Sequence, residues 1–219
     1  MKLSLSFICF LISTVIIAQE ATITIIPERL TERQSWTSLD FNNSNEDFQF
    51  AIVTDRTGGH RPGVFPDAVK KLNLLQPEFV MSVGDLIEGY TENRKVLNRE
   101  WEEFDGFVNQ LEMPFFYVPG NHDITNQVME DLWYEKFGNT YYAFTYKEVL
   151  FLCLNSEDQK RGAGRGTISD KQYEWIEKTL KANAEVKYTL VFMHQPLWTQ
   201  DDTKRWEDVE KLLSERKHN

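Results

Sequence analysis

At 219 residues, 41% hydrophobic and 26% charged, the chain is long enough for one domain with a sizeable core. Its 15 Phe, 8 Tyr and 6 Trp exclude disorder as a description of most of it. The formal charge of −10 at pH 7, with no dense Lys/Arg stretch to offset it, sets nucleic acid and anionic lipid aside as main partners.

The first 18 residues read as a secretory signal peptide. Lys2 supplies a positive start, residues 3–17 form an apolar run, and Ala18 offers a small residue for cleavage. The alternative is an N-terminal membrane anchor, which needs about 20 apolar residues. The expectation is an exported protein, periplasmic or extracellular, with no stable membrane anchor. Cleavage removes Cys9 and leaves Cys153 in the apolar run 149–154, where it reads as a small core residue.

Residues 19–47 form a polar entry segment containing one weak edge-strand pattern, 22–26, and residues 48–219 form the domain. Residues 48–53 predict a buried strand running to Asp55. A helix follows over 65–75 with Phe65, Ala68, Val69, Leu72 and Leu75 at helical spacing. Residues 79–83 predict a strand ending at Gly84-Asp85. The stripe Leu97, Trp101, Phe104 and Val108 then predicts a helix over roughly 91–111. The strand 115–118 runs into Gly120-Asn121-His122-Asp123, and a helix occupies about 125–137. Strands 141–146 and 149–154 form a hairpin around Lys147-Glu148. A glycine-rich loop, 162–166, precedes a helix capped by Ser169 and extending to about residue 182. The strand 188–193 ends at His194, and a last helix covers about 203–216.

This alternation predicts an α/β class with a partly parallel sheet. Four strands end in residues fit for metal binding or proton transfer: Asp55, Asp85, Asn121-His122 and His194. In open α/β sheets, sites gather at the carboxyl ends of strands. The oxygen and nitrogen set suits Mn, Fe, Zn or Co and lacks the thiolates of a structural zinc site. Two such ions need a bridging group, and Asp85 in its tight turn is the candidate, with Asp55 serving one ion and Asn121 and His194 the other. A metal pair lowers the pKa of bound water and neutralises phosphoryl oxygens during in-line attack. His122 is the candidate proton donor to the leaving alkoxide, with Asp123 as the neighbouring carboxylate that would hold it protonated.

These residues resemble the blocks of the calcineurin-like metallophosphoesterases over about residues 48–198. Gly84-Asp85-Leu86-Ile87-Glu88 is similar to the second block, Gly120-Asn121-His122-Asp123 matches the third, and Phe192-Met193-His194-Gln195-Pro196 resembles the fourth. The resemblance implies a metallophosphoesterase-like β-sandwich flanked by helices, incomplete at the C-terminus, with two divalent or trivalent metal ions and a small phosphate-ester substrate. Two departures stand out. The first block of the family is Asp-x-His, whereas this chain has Asp55-Arg56-Thr57; His60 is a possible replacement only if Gly58-Gly59 bends back. The fifth block, Gly-His-x-His, is missing before Asn219. The resemblance thus implies the front portion of a longer protein, with weak metal binding and low activity in these 219 residues. The alternative is a catalytically inactive remnant acting as a binding module. Tyr90, Trp198 and Arg56 adjoin the motifs, where either packing or pocket lining is open to them. The glycine-rich loop with Arg161 and Arg165 reads as a surface loop or an anion nest.

Overall fold

A computed structural model describes residues 22–41, 47–158, 165–200 and 204–216. The signal-peptide reading, most of the glycine-rich loop with Arg161, and His218 lie outside the described residues. The first half of the chain forms β1 (Thr24–Pro27), β2 (Ala51–Val53), α1 (Val64–Leu75), β3 (Val80–Ser82), α2 (Arg94–Val108), β4 (Phe115–Phe116), α3 (Asn121–Ile124) and α4 (Gln127–Phe137). There follow β5 (Tyr142–Tyr146), β6 (Val149–Cys153), α5 (Asp170–Ala182), β7 (Tyr188–Phe192), a 3-10 turn at Leu197–Thr199 and α6 (Lys204–Ser214).

The strands make two sheets. One is parallel, ordered β2-β3-β4, and the other runs β1-β5-β6-β7 with only β6 and β7 parallel. Their inner faces meet in an aromatic layer. Phe79, Met81 and Phe116 from the first sheet pack on Phe144, Tyr146, Phe151 and Phe192 from the second. Phe144 and Phe151 are cross-strand partners with ring centroids 4.6 Å apart and planes 3° from parallel. Each wholly buried ring contributes about 1.5–3 kcal/mol through burial, and good ring geometry adds about 0.5–1.5 kcal/mol.

The strand period of two assigns the outer faces. Val80, between Phe79 and Met81, packs with Leu97, Trp101 and Trp133 under α2 and α4. Leu150 and Leu152, alternating with Phe151 and Cys153, pack against Ile176 of α5 and Val209 of α6. The result is a β-sandwich flanked by helices, as expected. Cys153 is a buried free thiol, held up well above its ordinary pKa by burial, in keeping with a core role.

Local chemistry sets the boundaries. The Asn93 side chain accepts from Lys95 N and starts α2 three residues later than the apolar stripe alone implies. Ser169 caps α5 by accepting from Gln172 N. Two expectations need correction. The strand read as buried at 48–53 is the shorter β2. Among the described residues it pairs only with β3, and Ile52 is 56% exposed. The helix expected from residue 125 is preceded by a separate turn, α3, beginning at Asn121; Asn126, extended at φ −135°, ends that turn and caps α4 by accepting from Met129 N. No helix among the described residues is long and apolar enough to cross a membrane.

Candidate metal centre

The carboxyl ends of β2, β3, β4 and β7 converge. Asp55 and Asp85 both adopt left-handed backbone, at φ 50° and 57°, a conformation that aspartate tolerates better than bulkier residues do. Gly84, at φ 84°, lies so close to the next strand end that a Cβ there would sit 2.6 Å from Gly120 Cα. Gly120 is a matter of space alone, since its φ of −115° is open to any residue. A Cβ on it would lie 2.4 Å from Asp85 Oδ1 and 2.5 Å from the immobile Asp85 N. Gly120→Ala is therefore expected to cost about 1–3 kcal/mol, the usual range for overpacking, and to weaken metal uptake. Thermal melts with and without metal check both.

Asp55, Asp85 and His194 each present a ligand atom within 4.8 Å of the others. His194 Nε2 lies 3.2 Å from Asp85 Oδ1 and 3.1 Å from Asn121 Oδ1, while Nδ1 lies 2.8 Å from the Val83 carbonyl. That carbonyl can only accept, so Nδ1 carries a proton. In the neutral ring the Nε2 lone pair then points at acceptor oxygens, which repel it unless a proton or a cation lies between. The donor set thus fits a metal ion, and the carbonyl orients the ring for it.

Without metal, a proton takes that place. Burial pulls the His194 pKa down, but the hydrogen bond and charge of Asp85, the Val83 carbonyl and the Asp55 charge outweigh it and raise it to about 9. For Asp85, burial acts upward and is overcome by the His194 hydrogen bond and charge and by the His122 N–H, leaving the carboxyl below its ordinary range. The raised histidine pKa stabilises the metal-free fold fully below pH 6.5 and ceases to do so as pH rises through 9. A histidine must give up that proton to bind a metal. Metal uptake below pH 9 is accordingly expected to release a proton, with affinity rising about tenfold per pH unit up to that point. An indicator dye in weakly buffered solution measures the release.

His122 stands beside this group. Its backbone N donates to Asp85 Oδ1 at 2.9 Å, Nδ1 lies 2.7 Å from the Glu88 carbonyl, and Nε2 is 3.9 Å from Asp85 Oδ2. The expected pairing with Asp123 is corrected. Asp123 is wholly buried, and its oxygens accept from the backbone N–H groups of Asp85, Leu86, Ile87 and Gly120. Burial pushes its pKa up to about 7, helped by the Asp85 charge and opposed by the Gly120, Leu86 and Ile87 donors. His122 and Asp123 are consecutive on α3, and adjacent helical residues do not face each other.

His60 is likewise not brought into the group. Its Nδ1 lies 3.5 Å from Glu88 Oε1 at the surface. The reason is Thr57, whose hydroxyl reaches the carbonyls of Asp85 and Ile87 at 3.0 and 2.7 Å and pins the loop before it can turn back. Nothing in the sequence points to this role for Thr57, and only the fold supplies it. Arg56 packs: its guanidinium donates to the Leu86 carbonyl, pairs with Glu103 and lies over the Phe107 ring. Trp198 is half exposed and leans on Trp206, whereas Tyr90 reaches the site through Asn121. Beside Asp55 opens a cavity of about 530 Å³ lined by Arg56, His60, Arg61, Phe65 and Phe107 among others.

The calcineurin-like phosphoesterase family model matches residues 48–218. Among curated proteins, the chain is 26% identical over 125 residues to a probable glycerophosphodiester phosphodiesterase GpdQ of Arcobacter nitrofigilis, covering 55% of this chain and 42% of that one. It is 26% identical over 179 residues to the serine/threonine-protein phosphatase CPPED1 of Homo sapiens, covering 76% and 52%. The chain thus spans about half the length of these relatives. Among solved structures, a dimetal phosphatase from Danio rerio superposes with a TM-score of 0.58 at 15% identity, covering 77% of this chain and 78% of the other, which supports the fold. With the match spanning most of its length, the chain belongs to the calcineurin-like phosphoesterase family.

Proposed function

We propose that this protein hydrolyses phosphate mono- or diesters at a two-metal centre held by Asp55, Asp85, Asn121 and His194. The observation that carries this reading is the meeting of three ligand side chains from separate strand ends within 4.8 Å, with the Asn121 oxygen beside them. Family membership supports the class of bond cleaved, and the names of the relatives span both phosphatases and phosphodiesterases. Asp85, central to the group and facing both His194 and His122, would be the carboxylate shared by the two ions. Asp55 would hold one ion, and Asn121 with His194 the other. Bound metal of the Mn, Fe, Zn or Co type supplies a nucleophilic hydroxide near neutral pH and neutralises charge on the phosphoryl oxygens.

The remaining work falls to the protein. Its Val83 carbonyl fixes the His194 ring. The Glu88 carbonyl holds Nδ1 of His122, so that Nε2 is the ring nitrogen left to exchange a proton with a leaving alkoxide. Thr57 spends its hydroxyl on backbone carbonyls, so an ion beside Asp55 would have fewer ligands and would bind more weakly than its neighbour. The substrate is a small phosphate ester, and the apolar N-terminal run supports a meeting with it outside the cytoplasm.

Metal titration of the protein with Mn(II), followed by hydrolysis of an aryl phosphate and an aryl phosphodiester, tests the reading. Two weak, unequal binding steps and low but metal-dependent turnover are expected. Tight folding with neither metal uptake nor turnover would favour a binding module built on the same framework.

A further inference from the structure

We infer that Tyr90 is a positioning residue for the centre, its hydroxyl setting the Asn121 carboxamide and its ring restraining His122; this rests on the metal-dependent reading above. Three separate observations meet at this residue. Asn121 Nδ2 donates to Tyr90 Oη at 2.9 Å, while Asn121 Oδ1 points the other way, 3.1 Å from His194 Nε2. The Tyr90 ring stands edge-on to the His122 ring, with centroids 4.7 Å apart and planes at 81°. The backbone of Tyr90 is left-handed, at φ 51°, a region a bulky side chain enters only when its surroundings hold it there.

The turn explains how it is held. Gly89 precedes Tyr90 at φ 59°, and a Cβ on it would lie 1.8 Å from the His122 carbonyl oxygen. Gly89 N also donates to Glu100 Oε2. The turn is therefore pressed against the backbone of the Asn-His pair and tied to α2. From there the phenol reaches both side chains.

The chemistry asks for such an anchor. A carboxamide has an oxygen that can bind a cation and an NH₂ that repels one, and rotation by 180° exchanges them. The ligand oxygen stays inward only if something outside accepts from the NH₂. Tyr90 Oη is that acceptor, and with the ring 47% exposed it does so from the rim of the site. On the other neighbour, the ring edge limits rotation of the imidazole that Glu88 holds at one nitrogen only.

Tyr90→Phe and Tyr90→Ala separate the two roles. Phe removes only the hydroxyl, so Mn(II) affinity is expected to fall about tenfold, the lower end of losses seen for outer partners of metal ligands, with little change in melting temperature. In metal-free protein, the Asn121 side-chain amide signals, identified by their loss in Asn121→Asp, are expected to move and exchange faster in Tyr90→Phe. Ala also removes the ring, so it adds a drop in kcat under saturating metal that Phe does not show. Wild-type Mn(II) affinity and unchanged amide signals in Tyr90→Phe overturn the role of the hydroxyl. Equal kcat in Phe and Ala overturns that of the ring. If the wild type takes up no Mn(II), the proposed function falls by itself, and the amide signals of the metal-free protein still decide whether Tyr90 sets Asn121.

Discussion

Asp85→Asn is expected to abolish metal-dependent hydrolysis, with kcat/KM reduced by well over 100-fold. The magnitude follows from position. Loss of an outer partner of a metal ligand costs about 10–100-fold in affinity or activity, and Asp85 is the proposed ligand to both ions. Its Oδ1 is 3.2 Å from His194 Nε2 and accepts from His122 N, while its Oδ2 faces His122 Nε2 at 3.9 Å. Asn keeps the shape but loses the charge, and only one of its two terminal atoms can bind a cation. The change reaches His194 as well. The Asp85 hydrogen bond and charge do most to hold the imidazole near pKa 9, so its pKa falls and less proton is released near neutral pH on any metal uptake that remains. Elemental analysis of purified variant and wild type, with kcat/KM on an aryl phosphate, reads the effect. Full dinuclear occupancy with more than a tenth of wild-type kcat/KM would remove Asp85 from the bridging position.

How far the centre was legible in the sequence depends on how local each cause is. Asp55, Asp85, Asn121 and His194 announce themselves because each follows an apolar run that must be a strand, and strand ends in such sheets converge. The two-sheet arrangement is less visible. Residues 79–83 read as one apolar run because Phe79 and Met81 face the aromatic layer while Val80 faces α2, so both faces are buried and the alternation disappears. Ile52 shows the converse: its apolar character suggests burial, but β2 stands at a sheet edge and the residue is exposed. Tyr90 stands out beside a motif, but its pairing does not, and Thr57 gives no sign at all, because their work depends on partners about 30 positions away, Asn121 for one and the carbonyls of Asp85 and Ile87 for the other. Asp123 is visible in its motif, but adjacency to His122 in sequence is not contact in space.

Asp123→Ala is expected to destabilise the protein by at least about 3 kcal/mol. The Asp123 carboxylate accepts from Asp85 N, Gly120 N and Leu86 N at 2.8 Å each and from Ile87 N at 3.3 Å. A buried donor left without a partner costs about 1–3 kcal/mol, and an entering water would recover part of the total. For a domain of this size, 1 kcal/mol moves the melting temperature by about 2–4 °C, so a drop of roughly 10 °C is expected. Asp123→Asn should fall as well, because its NH₂ would face two of the N–H donors that the lost oxygen had served. The comparison separates a knot in the backbone from a partner in proton transfer. As a knot, Asp123 holds the Gly84-Asp85 turn to the start of α3, and both variants lose stability together with metal uptake. As a partner of His122, Asp123→Asn would leave the melt unchanged and shift the pH profile of kcat. With four backbone hydrogen bonds on a wholly buried carboxylate, the melt is where the loss is expected.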